Sequence, residues 1–391
     1  MPREMNTFRT YVGVVIAIAV ATVIGLVLLW PDGSGGSELK VGAATHTEKG
    51  KIEKIEAVDC TMALDNAQCE KASVRMQSGD EEGDLVSVDV TNRGDNSMFG
   101  VGDTVKVASF ETAGGPPVYS IIDFERRPPM LLLAVAFCLL VIVFGRLRGA
   151  MSLVGLALSL AIVLLFVIPA ILDHKPPLAV ALAGSMAVML VTISLAHGVG
   201  PKSIAAILGT SLSLLLVCLL AVAFTHAANL TGYSSEEASL LSAGDASISI
   251  SGLVVAGIVI GALGVLDDVT VSQASTVIAL RAANPKLGTR QLYRRAIDVG
   301  RDHVSATVNT LVLAYVGSSL PLLLILGSGQ LGFSDAANME VVAKEIIATL
   351  VGSIGLIAAV PITTILAALL AGSLHRGELV LAASSGGHHH H

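Results

Sequence analysis

The sequence predicts a polytopic α-helical membrane protein of about eight transmembrane helices. A small extracytoplasmic β-rich domain, resembling an OB-like barrel, is inserted between helices 1 and 2. Three observations carry this. First, the 391 residues are 53% hydrophobic and only 14% charged, with mean hydropathy +0.75, whereas a soluble chain carries roughly 25% charge. Second, the apolar residues gather in runs near the ~20 residues that a spanning helix needs. Third, one long polar segment, 31–129, interrupts those runs and reads as short strands separated by turn residues.

The first run, 9–30, has Arg3 and Arg9 as a basic flank, as a signal peptide would. Its apolar core is 18 residues long, beyond the usual ~7–15, and no small-x-small cleavage site follows. It is read as an anchor that stays, with Trp30 at its interfacial end. After the flexible "PDGSGGS", strands are expected at "KIEKIEAV", "LVSVDV", "DTVKVASF" and "VYSIIDF". "VGDTVKV" is similar to the turn-then-strand of small OB-like barrels. Such a domain either packs and docks or binds a substrate or partner. Cys60 and Cys69 lie within it and are expected to form a disulfide if it faces an oxidising compartment. Cys138 and Cys218 lie in apolar runs and read as packing residues.

The remaining spans are placed at 130–145, 150–171, 177–196, 203–225, 250–270, 304–326 and 346–371, the first of them short and bounded by Pro128 and Pro129. The organisation is therefore an anchor, 1–30; the β domain, 31–129; a seven-helix core, 130–376; and a tail, 377–391, whose "SSGGHHHH" resembles an affinity tag and is excluded from metal arguments. With the N-terminus in the cytoplasm, the inner segments hold twelve Lys and Arg and the short outer loops only two, Lys175 and Lys344. The positive-inside rule then puts both termini in the cytoplasm and 31–129 outside. A net charge of −7 without a basic patch excludes a nucleic-acid partner.

Lipid offers no hydrogen bonds, so polar residues within spans mark helix contacts or water-filled paths. The sixth span runs uncharged through the seventeen residues 250–266 and then meets Asp267 and Asp268. No helix breaker appears before Asn284–Pro285. Asp268, Ser272 and Ser275 share one face, Gln273 stands beside them, and Asp267 flanks the stripe about 100° away. Gly257, Gly261 and Gly264 form a small-xxx-small packing face. In the seventh span, Asp302, His303, Thr307, Asn309 and Thr310 repeat at helical spacing, and Gly317 and Pro321 permit a bend. "LAHGVGPKS" brings His197 and Lys202 to the end of the fourth span. Plainer alternatives stand beside each. The acids reach headgroup water or pair with Arg281 or Arg301, His197 and Lys202 are interfacial, and Asn309–Thr310 bind neighbouring helices.

Paired carboxylates in a low-dielectric site suit reversible protonation or cation binding, because burial and a neighbouring acid both disfavour the charged form. Ser272, Ser275, Asn309 and Thr310 would complete a proton wire or cation shell. No nucleophile–His–acid set, phosphate-binding loop or Cys/His metal spacing appears. Neither an enzyme, a metal nor a cofactor is expected.

"GALGVLDDVTVSQAS", "LRAANP" and "NTLVLAYVGSSLPLLL" resemble the YibE/F family of bacterial membrane proteins, as does the order of anchor, outer domain and seven further spans. A more distant likeness, a span ending in "LDD" followed by a basic loop and two closing spans, links the chain to SecD/SecF-type members of the RND superfamily. That likeness implies proton coupling through Asp267 and Asp268, although those members have six spans. The leading expectation is thus a bacterial inner-membrane permease or exporter component driven by a proton or cation gradient. The runner-up is a non-transporting envelope scaffold whose β domain binds a partner. The glycine face leaves room for a homo-oligomer, and no substrate is legible.

Overall fold

The computed structural model describes residues 2–33, 46–58, 67–79, 81–93, 98–110, 117–234, 236–244, 247–328 and 332–373. The chain divides into two compact units, Lys40–Val143 and a second formed by Met1–Leu39 with Phe144–His391.

The first unit holds an antiparallel five-stranded sheet: β1 (His46–Val58), β2 (Ala67–Met76), β3 (Leu85–Arg93), β4 (Thr104–Phe110) and β5 (Val118–Phe124), in the order β3-β2-β1-β4-β5. β1 lies at the centre of the sheet and offers an edge to each of two neighbours, and its register with β2 shifts between Ile52 and Lys54, a bulge that bends the strand. Its first half pairs with β4 and its second with β2. The edge strands β3 and β5 also approach each other. Alternate residues supply the core, with Ile52, Val74, Val88, Val105 and Val107 almost wholly buried. β2 was not expected, because in "AQCEKASVRM" the adjacent Glu70 and Lys71 interrupt the alternation and only Val74 is β-branched. Ala72, Val74 and Met76 nevertheless make a buried period-2 face. Arg75 lies 2.5 Å from Glu53 and holds its carboxyl below the usual carboxylate range. The expected Cys60–Cys69 bridge falls outside the described residues, since Cys60 does.

The rest is helical: α1 (Pro2–Leu28), α2 (Arg127–Ile162), a π-helical turn (Val163–Val167), α3 (Ile168–Leu172), α4 (Pro177–His197), α5 (Pro201–Ala227), α6 (Glu236–Gly244), α7 (Ile250–Ala283), α8 (Thr289–Ser318), α9 (Leu320–Ser328), α10 (Phe333–Asn338) and α11 (Glu340–Gly372). Among the described residues six helical stretches are long and apolar enough to cross a membrane, or seven if the bent pair α8–α9 counts as one span. Eight were expected. The difference lies in Arg127–Leu172, one stretch of 46 residues, where two spans were expected. As a straight rod it would rise ~69 Å against a ~30 Å hydrocarbon core. Its backbone breaks at Arg146, with φ 51° and ψ −134°. The 65° bend between α8 and α9 falls where Gly317 and Pro321 permit it.

α5, α7 and α11 pack together most extensively, with α4 and α8 against them. Close approach depends on small residues. A Cβ on Gly209 of α5 would stand 2.1 Å from Thr363 Oγ1 on α11, and one on Gly355 would stand 2.2 Å from Val217 Cγ2. Some polar side chains in this core bond one another, as a low-dielectric interior favours, while the hydroxyls of Ser213, Ser353 and Thr363 are buried without a hydrogen-bond partner. Thr210 and Thr270 share a hydrogen bond of 2.5 Å. Gln273 donates to Ala296 O at 2.8 Å and to Thr364 Oγ1 at 2.7 Å.

Candidate functional site

α7 starts on Ser249, whose hydroxyl accepts from Gly252 N at 3.2 Å, the usual role of serine at an N-cap. It stays helical through both acids to Ala283, with Asn284 as its C-cap. At 100° per residue, Asp267 and Asp268 leave the axis in different directions. Asp268 is exposed and continues the stripe of Gly257, Gly261, Gly264 and Ser272, all likewise exposed, with Ser275 half-buried behind them. Asp267 is half-buried and turns towards α4.

There Thr192 Oγ1 lies 2.9 Å from Asp267 Oδ2. The same hydroxyl is 2.9 Å from Val188 O and 3.2 Å from Met189 O. It has one hydrogen to give and three acceptors in reach. Asp267 Oδ1 is buried without a hydrogen-bond partner, which ordinarily costs ~1–3 kcal/mol. Both acids line a cavity of about 270 Å³ with Ser152, Gly155 and Ser159 of α2, Thr192 and His197 of α4, and Gly264 of α7. Ser159 donates to Gly155 O at 2.8 Å. His197 sits at the last turn of α4, ahead of Gly198, whose φ of 72° closes the helix in the left-handed region.

The arginine alternative is not what the geometry displays. Arg281 donates to Leu287 O, and Arg301 pairs with Asp298 at 3.2 Å. Among the described residues neither Asp267 nor Asp268 has a salt-bridge partner. No cluster of metal-binding side chains occurs among them either.

The seventh-span residues are not brought to this cavity. α8 meets the flank of α7 through Val265 and Val269, against Ile297, Val304 and Val308. Asp302, His303, Asn309 and Thr310 are exposed and Thr307 half-buried, and the Thr307 and Thr310 hydroxyls return to His303 O and Ala306 O of their own helix. Lys202, half-buried in the first turn of α5, does not line the cavity. Gln273 projects to the opposite side of α7, where it ties α8 to α11.

The residues that sequence reasoning missed are Thr192, Ser152 and Ser159. A signal for the last two existed. Ser152, Gly155 and Ser159 at i, i+3 and i+7 make a small polar stripe on an otherwise apolar helix. Thr192, five residues before His197, carried no comparable pattern.

Residues 133–373, more than half of the chain, match the YibE/F-like protein family, and the chain belongs to that family. No match is found among curated proteins or among solved structures.

Proposed function

We propose that this YibE/F-family protein is an inner-membrane transport component that couples the movement of a proton or monovalent cation to work, with Asp267 as the coupling carboxylate and Asp268 at its rim. The observation that carries the reading is Asp267 itself. It is a half-buried acid between helices, with one oxygen on Thr192, the other unpartnered, and a polar cavity in front of it.

The hydroxyl of Thr192 supports a proton in particular. When Asp267 is ionised, Thr192 donates its hydrogen to Oδ2. When Asp267 is neutral, the acid donates instead, and Thr192 turns its hydrogen to Val188 O or Met189 O. Both charge states are thus hydrogen-bonded without moving a helix. His197 and Asp268 stand in the same cavity, where they would pass a proton to or from solvent. The distant SecD/SecF likeness supports the same reading from the sequence alone.

The break at Arg146 supports two crossings within Arg127–Leu172. With α8–α9 counted as one span, this makes eight crossings, an even number that supports both termini on one side, and the Lys and Arg of the inner segments support the cytoplasm as that side. The strand order β3-β2-β1-β4-β5, with β3 near β5, supports an OB-like barrel for the domain on the outer side. The test uses proteoliposomes. The wild-type protein is expected to dissipate an imposed proton or cation gradient, and the double variant Asp267→Asn/Asp268→Asn is not. If both leave proton flux and ion gradients equally undisturbed, coupling through this pair fails. If deleting 31–129 abolishes cellular function while neutralising both acids does not, the scaffold reading replaces it.

A further inference from the structure

A second polar site lies towards the other end of α7. Two half-open cavities, of about 370 and 260 Å³, adjoin among α6, α7, α8, α9 and α11, and Tyr315 and Glu345 line both. Their characters differ. The larger contains Lys344 beside Glu345 and is floored by Gly257. The smaller is walled mainly by aliphatic side chains such as Val316, Leu323 and Ile346. One end is therefore charged and the other oily, with a tyrosine hydroxyl at the join.

The two charges are poorly matched to each other. Lys344 Nζ pairs with Glu345 Oε1 at 3.4 Å, a single long contact between consecutive residues whose side chains leave the helix about 100° apart. An ammonium has three donors, and a carboxylate has about four acceptor positions. Among the described residues no other ion pair engages either. Both side chains are about two-thirds buried, at 31% and 30% exposure. The site therefore holds Lys344 and Glu345 with hydrogen-bonding capacity to spare, while the charge of Lys344 also reaches Glu340 one turn earlier on α11.

The floor of the larger cavity is also open for a reason internal packing does not supply. A Cβ on Gly257 would meet nothing within 4 Å, and one on Gly261 only Tyr315 Oη at 3.7 Å. The helix bundle does not need glycine there, unlike at Gly209. The open track runs on through Gly264, which borders the acid cavity. From Gly257 to Asp268 it rises ~16 Å along the helix.

We propose that these joined cavities bind a zwitterionic amphiphile. Its anionic phosphate or carboxylate pairs with Lys344, its amine with Glu345, its head accepts from Tyr315, and its chain lies among the aliphatic side chains of α8, α9 and α11. The combined space falls in the ~300–1,000 Å³ range of small-molecule sites, and entry is from the lipid phase, where such molecules reside. That this amphiphile is the cargo rests on the coupling reading above; that it binds does not.

The experiment uses the full chain in an uncharged sugar-headed detergent, titrated with a medium-chain lysophosphatidylethanolamine and read by native mass spectrometry. A monoacylglycerol of equal chain length and free glycerophosphoethanolamine serve as the neutral and chainless comparisons. One lysophosphatidylethanolamine is expected to bind, at least ~10-fold more tightly than either comparison, since a charge-assisted hydrogen bond is worth about tenfold or more. Lys344→Gln and Glu345→Gln are each expected to remove about that factor. Gly257→Leu, whose Cβ meets nothing within 4 Å and whose longer side chain extends into the cavity, is expected to compete with the ligand while leaving the thermal midpoint in place. Equal binding of the monoacylglycerol overturns the head recognition. Equal binding of the chainless head overturns the amphiphile, and unchanged affinity in all three variants overturns the site. No gradient is applied, so a failure of proton coupling leaves these outcomes untouched.

Discussion

Substituting Gly209 by alanine tests how the core of this bundle is held. The new Cβ would lie 2.1 Å from Thr363 Oγ1, 2.9 Å from Thr363 Cβ and 3.2 Å from Thr363 Cα. Thr363 is wholly buried, so it has no room to retreat, and the contact with its Cβ survives any rotation of its hydroxyl. α5 and α11 must therefore part. A gap of 0.5–1 Å forfeits roughly a quarter to a half of the dispersion energy at each affected contact, and overpacking a dense core typically costs about 1–3 kcal/mol. This contact reaches the backbone and belongs at the upper end. Gly→Ala within a helix returns about 0.5–1 kcal/mol, leaving a net loss of about 2 kcal/mol. Gly257→Ala and Gly264→Ala, which meet nothing within 4 Å, keep the propensity gain without the clash and are expected to be neutral or slightly stabilising. Thermal unfolding of the purified protein in detergent separates these cases by several degrees, taking roughly 2–4 °C per kcal/mol for domains of comparable size. Thr363→Ala on the Gly209→Ala background removes the unpartnered oxygen but not the Cβ. It is expected to recover roughly 1 kcal/mol in a double-mutant cycle. A Gly209→Ala protein that melts with the wild type, while Gly257→Ala melts lower, would refute the packing order described here.

Thr192→Val keeps the shape at α4 but leaves both oxygens of Asp267 without a side-chain donor. Ion-gradient dissipation is expected to fall by about tenfold or more, the scale of one hydrogen bond to a charged group, and an unaltered rate counts against the Thr192 switch. In the β domain, Tyr119 donates to Glu81, and that bond above all pushes its phenol up to about 12. The stability this contributes is complete below pH ~10, the ordinary tyrosine value, and is lost as pH rises through about 12. Phenolate absorbance should show a late component that Glu81→Gln shifts down and Tyr119→Phe deletes. Glu340 accepts from Gly232 N at 2.5 Å and from Thr231 Oγ1 at 2.8 Å. Glu340→Gln is therefore expected to speed amide hydrogen exchange at Gly232, and no change would mean that the segment is held elsewhere.

Much of the fold was legible because one physical signal dominates it. Apolar runs of spanning length announce themselves, and the bend at Gly317–Pro321 and the end of α7 at Asn284–Pro285 follow from local backbone chemistry. β2 was hidden because only one residue of its buried face of Ala72, Val74 and Met76 is β-branched, and Glu70–Lys71 interrupts the alternation before it. The acid pair itself was also legible, but its partners were not. Periodicity along α7 says which residues share a face, not which helix covers it. Asp267 looks to α4 and α2, not to α8. Gln273 shows the same point from the other side. It stands about 140° from Asp268 around the helix, so adjacency in sequence with Ser272 did not place it on the polar stripe.

The central claim is that Asp267, not acidity in general, carries the coupled ion. The most direct measurement compares gradient-driven proton flux in proteoliposomes containing wild type, Asp267→Asn alone and Asp268→Asn alone. The hydrogen-bonded, half-buried position of Asp267 predicts that Asp267→Asn abolishes flux, while Asp268→Asn at the exposed rim only slows it. Full flux through Asp267→Asn would contradict the account.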